Sequence, residues 1–307
     1  MQREHNIQYI TQAQINRQKW DACITNASNG LIYGYSFYLD HMAANWDGLV
    51  LNDYEAVMPL TWNKKYGIHY LYQPFLTAQL GVFGNHLTEQ IVENFLAAIP
   101  SRFSYWDIYL NHQNIFSRNK INSSIRKNFV LHLNKPYEEL QKNYSENCIR
   151  NIRKSQQSKC IPVKSFDKNE AIQMAIQQMN SYTKGSKENI QRFVELSDFL
   201  VQRNQLFTYG IQDSNRELIA SCIFLSSHNR YYYILVGNDP RSRTIGASHA
   251  LIDSFIKDHA GENTLLDFEG SDIPGLAKFY SSFGSIEENY PAIRLNKLPF
   301  LLRWLKK

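Results

Sequence analysis

The sequence has no Cys-x-x-Cys pair, no strongly basic tail, no apolar run near the ~20 residues that cross a bilayer, and no spacing that reads as a metal-ligand set. Its four cysteines, Cys23, Cys148, Cys160 and Cys222, are scattered. That pattern fits free thiols in a reducing compartment better than a disulfide framework or a zinc site. The opening MQREHNIQYI contains no apolar signal region, so the chain reads as soluble and cytoplasmic, without an integral membrane segment. Charge is spread evenly: 11 basic and 9 acidic residues fall in 1–135, 22 and 19 in 136–307. The net +5 therefore gives no argument for nucleic acid. No nucleophile–base motif of hydrolase type stands out either.

What is present is ordinary globular material, 43% hydrophobic and 20% charged, over 307 residues. That is enough chain for two domains, each with its own core. Periodicity and breakers predict helices over 11–25, 36–46 and 88–99 in the first half, with strands at 48–51, 55–61, 69–72, 106–110 and 129–133. The second half opens with a helix from 137 to about 155, a strand at 161–166 and helices over 169–180 and 190–204. A hairpin at 206–211 and 218–226 follows, then strands at 231–236, 264–268 and 292–295, helices over 245–259 and 274–283, and a short basic helix at 298–307. The two halves share one element order, mixed α/β with partly antiparallel sheets. We read a duplication cut at Lys135-Pro136: residues 1–135 and 136–307, with the main cleft between the lobes.

The chain is organised around 231–259. A strand of aromatic and β-branched residues ends at Gly237-Asn238-Asp239-Pro240, and a helix begins near Ile245. Between them stand Arg241, Arg243 and Gly246. A helix start with unpaired N–H groups, two arginines and a glycine is an anion site on chemical grounds; a plain strand–turn–helix with surface arginines is the competing reading. The matching place in the first half, 79–85, has no basic residue. There Gln73, Phe75 and Gln79 around Pro74 read either as a substrate-binding loop or as a packed connector. Arg150, Arg153 and Lys154 share one helical face, as a solvated surface or a second phosphate contact.

Further on, Asp267 and Glu269 alternate with Leu266 and Phe268, which suits a base and a substrate anchor or a solvent face. Tyr280 is spaced with Leu276, Phe279 and Phe283, which suits either the core or a proton donor at its edge. His249, one turn into the helix, reads as a surface residue.

The hexapeptide Arg243-Thr244-Ile245-Gly246-Ala247-Ser248 resembles the R-x-x-G-x-(G/A) pyrophosphate loop of the GNAT acyltransferase superfamily, with Ser248 in place of the last small residue. The stretch AKFYSSFG (277–284) is similar to its tyrosine signature, shifted by one and lacking the final Phe. With NYSENCIRNIRK (143–154), the chain resembles the Fem-type aminoacyltransferases and their bacterial relatives, which carry two tandem GNAT-like domains. The resemblance implies that Arg241, Arg243 and 245–248 (Ile245, Gly246, Ala247, Ser248) hold an acyl-CoA donor. It also implies that Tyr280 protonates the departing thiolate and that the acceptor is a small-molecule or peptide amine. The alternatives are a Fem-like enzyme using aminoacyl-tRNA on a peptidoglycan precursor and a non-catalytic protein retaining the fold. The helical arm that Fem enzymes use with transfer RNA is not evident.

Overall fold

The computed structural model describes residues 6–117, 121–180, 187–270 and 272–298; of the predicted C-terminal helix, only Leu298 falls among them. The chain forms two compact units, Met1–Arg126 with Asn289–Lys307, and Lys127–Glu288.

The first unit runs β1 (Ile7–Thr11), α1 (Arg17–Asn26), α2 (Ser36–Met42), β2 (Asn45–Leu51), β3 (Ala56–Lys65), β4 (Ile68–Tyr72), β5 (Phe83–Gly84), α3 (Glu89–Ala97), β6 (Phe103–Tyr109) and β7 (Ser123–Arg126). The Asn16 side chain caps α1 by accepting from the Lys19 amide, and Thr88 caps α3 through the Ile91 amide. Val92, Phe95 and Leu96 of α3 pack with Leu49, Met58 and Leu71 of the sheet, giving this unit its own core.

The second unit runs β8 (Phe129–His132), α4 (Tyr137–Gln141), α5 (Glu146–Gln157), β9 (Ile161–Lys164), α6 (Lys168–Asn180), α7 (Lys187–Gln202), β10 (Leu206–Gln212), β11 (Leu218–Ser227) and β12 (Arg230–Asn238). Then come α8 (Ser242–Ile245), α9 (Ala247–His259), β13 (Leu265–Asp267), α10 (Pro274–Ser281) and β14 (Ile286–Glu287), before β15 (Tyr290–Asn296) returns to the first unit. The predicted helix over 137–155 is two helices. The Ser145 side chain caps α5 by accepting from Cys148, and its amide donates to the Ser282 carbonyl, so the chain restarts there. Leu251, Ile252, Phe255 and Ile256 of α9 are buried, with Phe255 stacked on Phe224 of β11 at 3.8 Å between centroids.

Both sheets are mixed and follow one plan. The first is ordered β1-β2-β3-β4-β6-β15-β7, with β5 on β3; the second is β9-β10-β11-β12-β13-β8-β14. In each, an antiparallel meander of four strands meets one parallel neighbour, β4 with β6 and β12 with β13, and two antiparallel strands complete the sheet.

The cut at 135 is corrected by these pairings. β8, which the sequence reading gave to the first half, pairs with β13 and β14; β15, given to the second, pairs with β6 and β7. Lys135-Pro136 marks a turn into α4 inside the second unit. Ladder partners are set by distant segments, so a local breaker does not locate a domain edge.

Candidate functional site

β12 and β13 pair only from Arg230 to Tyr232. Beyond that point β12 continues on β11 alone, with a bulge where Tyr233 and Leu235 oppose Phe224 and Ile223 and leave Ile234 extra. A cavity of about 720 Å³ is lined there by Tyr233, Val236 and Asn238 of β12, by Asn151 of α5, by Gln177 and Gln178 of α6, and by Phe279 and Tyr280 of α10. Asp239, Ser242, Arg243, Ser248 and His249 supply its remaining polar border, with Gly246 beside them.

The equivalent divergence in the first unit, between β4 and β6, is filled. The Leu80 amide donates to the Tyr109 carbonyl, and Leu80 bridges Leu110. The Gln73 side-chain oxygen accepts from the Tyr109 amide at 3.1 Å, and that of Gln79 from the His112 amide at 2.8 Å. What remains is about 10 Å³, roughly the space of one water. Gln73 and Gln79 thus act as backbone substitutes that hold a plug, the arrangement of a packed connector. Phe75 is half-buried on the same loop, its carbonyl accepting from the Thr77 hydroxyl.

The predicted anion site is divided by the structure. Arg243 borders the cavity, whereas Arg241 does not and is held by three carboxylates: Asp239, itself on the cavity border, and Glu217 at 2.9 Å, and Asp213 at 3.5 Å. Its guanidinium staples the loop after β12 to the turn between β10 and β11. Gly246 has φ +73°, and a Cβ there would lie 2.3 Å from the Asn151 carbonyl oxygen. The glycine is demanded by the close approach of α5 to the start of α9, so any side chain there would disturb the fold as well as the site. Ile245 packs against the unit's core, Ala247 is fully buried, and the Ser248 hydroxyl donates to the Asn238 side-chain oxygen at 2.7 Å. Arg150 and Arg153 are exposed on α5 and do not line the cavity; Arg150 donates to Asn147 at 2.7 Å.

Of the three predicted catalytic residues, Tyr280 alone lines the cavity. Its ring stacks on Phe268 at 4.9 Å, and burial, Cys222 and Glu269 together push its phenol above the usual range. Asp267 is buried and receives Arg230 at 2.6 Å; Arg230 also contacts Glu288 at 2.8 Å. Burial works against the Arg230 charge, but these two carboxylates hold it protonated. Glu269 lies past the end of β13 at φ +66°, its amide donating to Asp267. The strand stops before it, so the two acids do not alternate on one face as predicted.

No protein-family model matches the sequence, and a search of curated proteins returns no match. Solved structures do match. FemX superposes over 98% of this chain and 100% of its own, with TM-score 0.66 and 10% identity. A tandem GNAT protein from the clavulanic acid biosynthesis pathway matches over 96% and 99%, with TM-score 0.57 and 9% identity. L-PGS from Bacillus licheniformis matches over 93% of each chain, with TM-score 0.54 and 10% identity. The fold is the tandem GNAT-like fold of the Fem type.

Within this tandem GNAT-like fold, the cavity includes residues that sequence reasoning missed. Ser242 is fully buried, and its hydroxyl has no hydrogen-bond partner among the described residues. The Gln178 side-chain oxygen accepts from the Asn238 amide at 2.6 Å. His249, read from sequence as a surface residue, faces the cavity with its ring edge-on to Phe279 at 4.7 Å. Burial pushes its pKa down to about 4. Its position two residues after Ala247 was visible in sequence; that α10 would cover it was not. Among the described residues no helix is long and apolar enough to cross a membrane.

Proposed function

We propose that the chain is an N-acyltransferase that moves an acyl group from an acyl-CoA thioester to a primary amine. The observation that carries this reading is one cavity lined both by groups suited to phosphate and by a phenol that burial holds in its protonated form. Arg243, the first turn of α9 and the unpartnered Ser242 hydroxyl would meet the diphosphate; a buried hydroxyl left without a partner costs stability unless something uses it. The bulge of β12 and its edge left unpaired by β13 beyond Tyr232 suit an extended amide-bearing arm. Tyr280, kept protonated, would supply the proton that the leaving thiolate needs.

Aminoacyl-tRNA is the second reading, favoured by the exposed basic face of Arg150, Arg153 and Lys154. Against it, Asp239 is the one carboxylate among the described residues lining the cavity, and Arg241 engages it. An α-ammonium on the transferred group would find no counter-charge there. Calorimetric titration with acetyl-CoA, longer acyl-CoAs and charged tRNA tests both readings. Binding of acyl-CoA that is lost in Arg243→Ala supports the first; binding of charged tRNA with none of acyl-CoA overturns it.

A further inference from the structure

We propose that His249 is the base that takes the proton from the incoming ammonium, a role that rests on the acyltransfer reading above. The two acids that the sequence offered for this task are poorly suited. Asp267 is engaged by Arg230, and neither it nor Glu269 lines the cavity. His249 does line it, on the first turn of α9, along with Tyr280. Its backbone amide is used by the Gly246 carbonyl, but its ring makes no hydrogen bond among the described residues. The ring is instead wedged against Phe279 and Phe283, at 4.7 and 5.7 Å between centroids. An imidazole with an unshared lone pair, held by two aromatic rings at the wall of a cavity, is an acceptor without an occupant.

The same burial that disfavours its cation keeps it neutral, with its lone pair open to a proton, while making it a weaker base than a free imidazole. An ammonium entering those surroundings is destabilised for the same reason and gives up its proton more readily than it does in water. Tyr280 is shifted the opposite way, toward holding its proton. Two titratable groups pushed apart by one cavity make an acid–base pair.

The proton count closes. The ammonium gives one proton to His249, and the neutral amine forms the C–N bond to the thioester carbonyl carbon. The C–S bond breaks, and Tyr280 protonates the departing sulfur. The nitrogen's second proton passes through solvent to the tyrosinate, and His249 releases its own to solvent. One amide, one free thiol and one proton result, with no oxidant or reductant.

The test uses the full chain with acetyl-CoA as donor and lysine, glucosamine and an alanyl peptide as amines. His249→Gln keeps a polar group of similar reach but cannot take the proton, and His249→Ala opens room for a replacement ring. The expectation for His249→Gln is wild-type CoA affinity with turnover lowered about 100-fold. For His249→Ala it is a similar loss, restored at least about tenfold by added imidazole, which a packing defect would not show. Full turnover in His249→Gln, or a loss in both variants that imidazole does not restore, overturns the role of His249 and leaves the acyltransfer reading standing. If the wild type neither binds nor turns over any acyl-CoA, the acyltransfer reading falls and this inference falls with it.

Discussion

Gly246 and Asn151 touch backbone to backbone: a Cβ on the glycine would lie 2.3 Å from the asparagine's carbonyl oxygen. That contact sets the start of α9 against α5 and forms part of the cavity wall. Gly246→Ala should therefore unfold more easily, by roughly 2–4 kcal/mol from left-handed strain and overpacking together. Denaturant melts check this; an unchanged midpoint would show that α5 can retreat.

Ser242 offers a cleaner probe of the donor end. Ser242→Ala removes a buried hydroxyl that has no partner, so the melting temperature should hold or rise slightly, while affinity for CoA falls. A variant that binds CoA as the wild type does would leave the hydroxyl without a use.

The two arginines should part company. Arg243→Ala is expected to weaken CoA binding roughly ten- to a hundred-fold, the loss of one charge-assisted contact. Arg241→Ala should change it little, because its partners are Asp213, Asp239 and Glu217. Equal losses in both would refute the division of the loop.

Tyr280→Phe keeps the ring that stacks on Phe268, so stability should change little while turnover falls by roughly 10²-fold. A fully active Phe variant would return this residue to the core alone.

His249 also predicts a pH effect on stability. Its folded pKa, near 4, lies below the unfolded value of about 6.5, so the unfolded chain binds the extra proton in that window. The stabilising difference is complete above about pH 6.5 and is lost as pH falls toward 4. Between about pH 7 and 5 the wild type should lose more melting temperature than His249→Phe, which keeps a ring against Phe279. Parallel curves for the two proteins would show that His249 is charged in the fold.

Elements were legible wherever their signal is local. The apolar spacing of Leu251, Ile252, Phe255 and Ile256 announced α9, and the strand over 231–236 fell within β12. Tyr280 could be singled out because AKFYSSFG (277–284) is similar to the GNAT tyrosine signature. The short strands β1, β5, β7 and β14 were missed, since two to five residues carry too little pattern to stand out.

By itself the sequence determined the mixed α/β class, the repeated element order and the loop from Arg241 to Ser248. Tertiary structure decided which strand joins which sheet, exchanging β8 and β15 across the cut at 135. It also decided which of two matching clefts stays open: glutamines at 73 and 79 close one by replacing backbone partners, while no comparable plug fills the other among the described residues. And it turned His249 inward and Arg241 outward. Those outcomes depend on partners far apart in the chain, α10 for the histidine and the β10–β11 turn for the arginine, and periodicity along a single segment carries no record of what will pack against it.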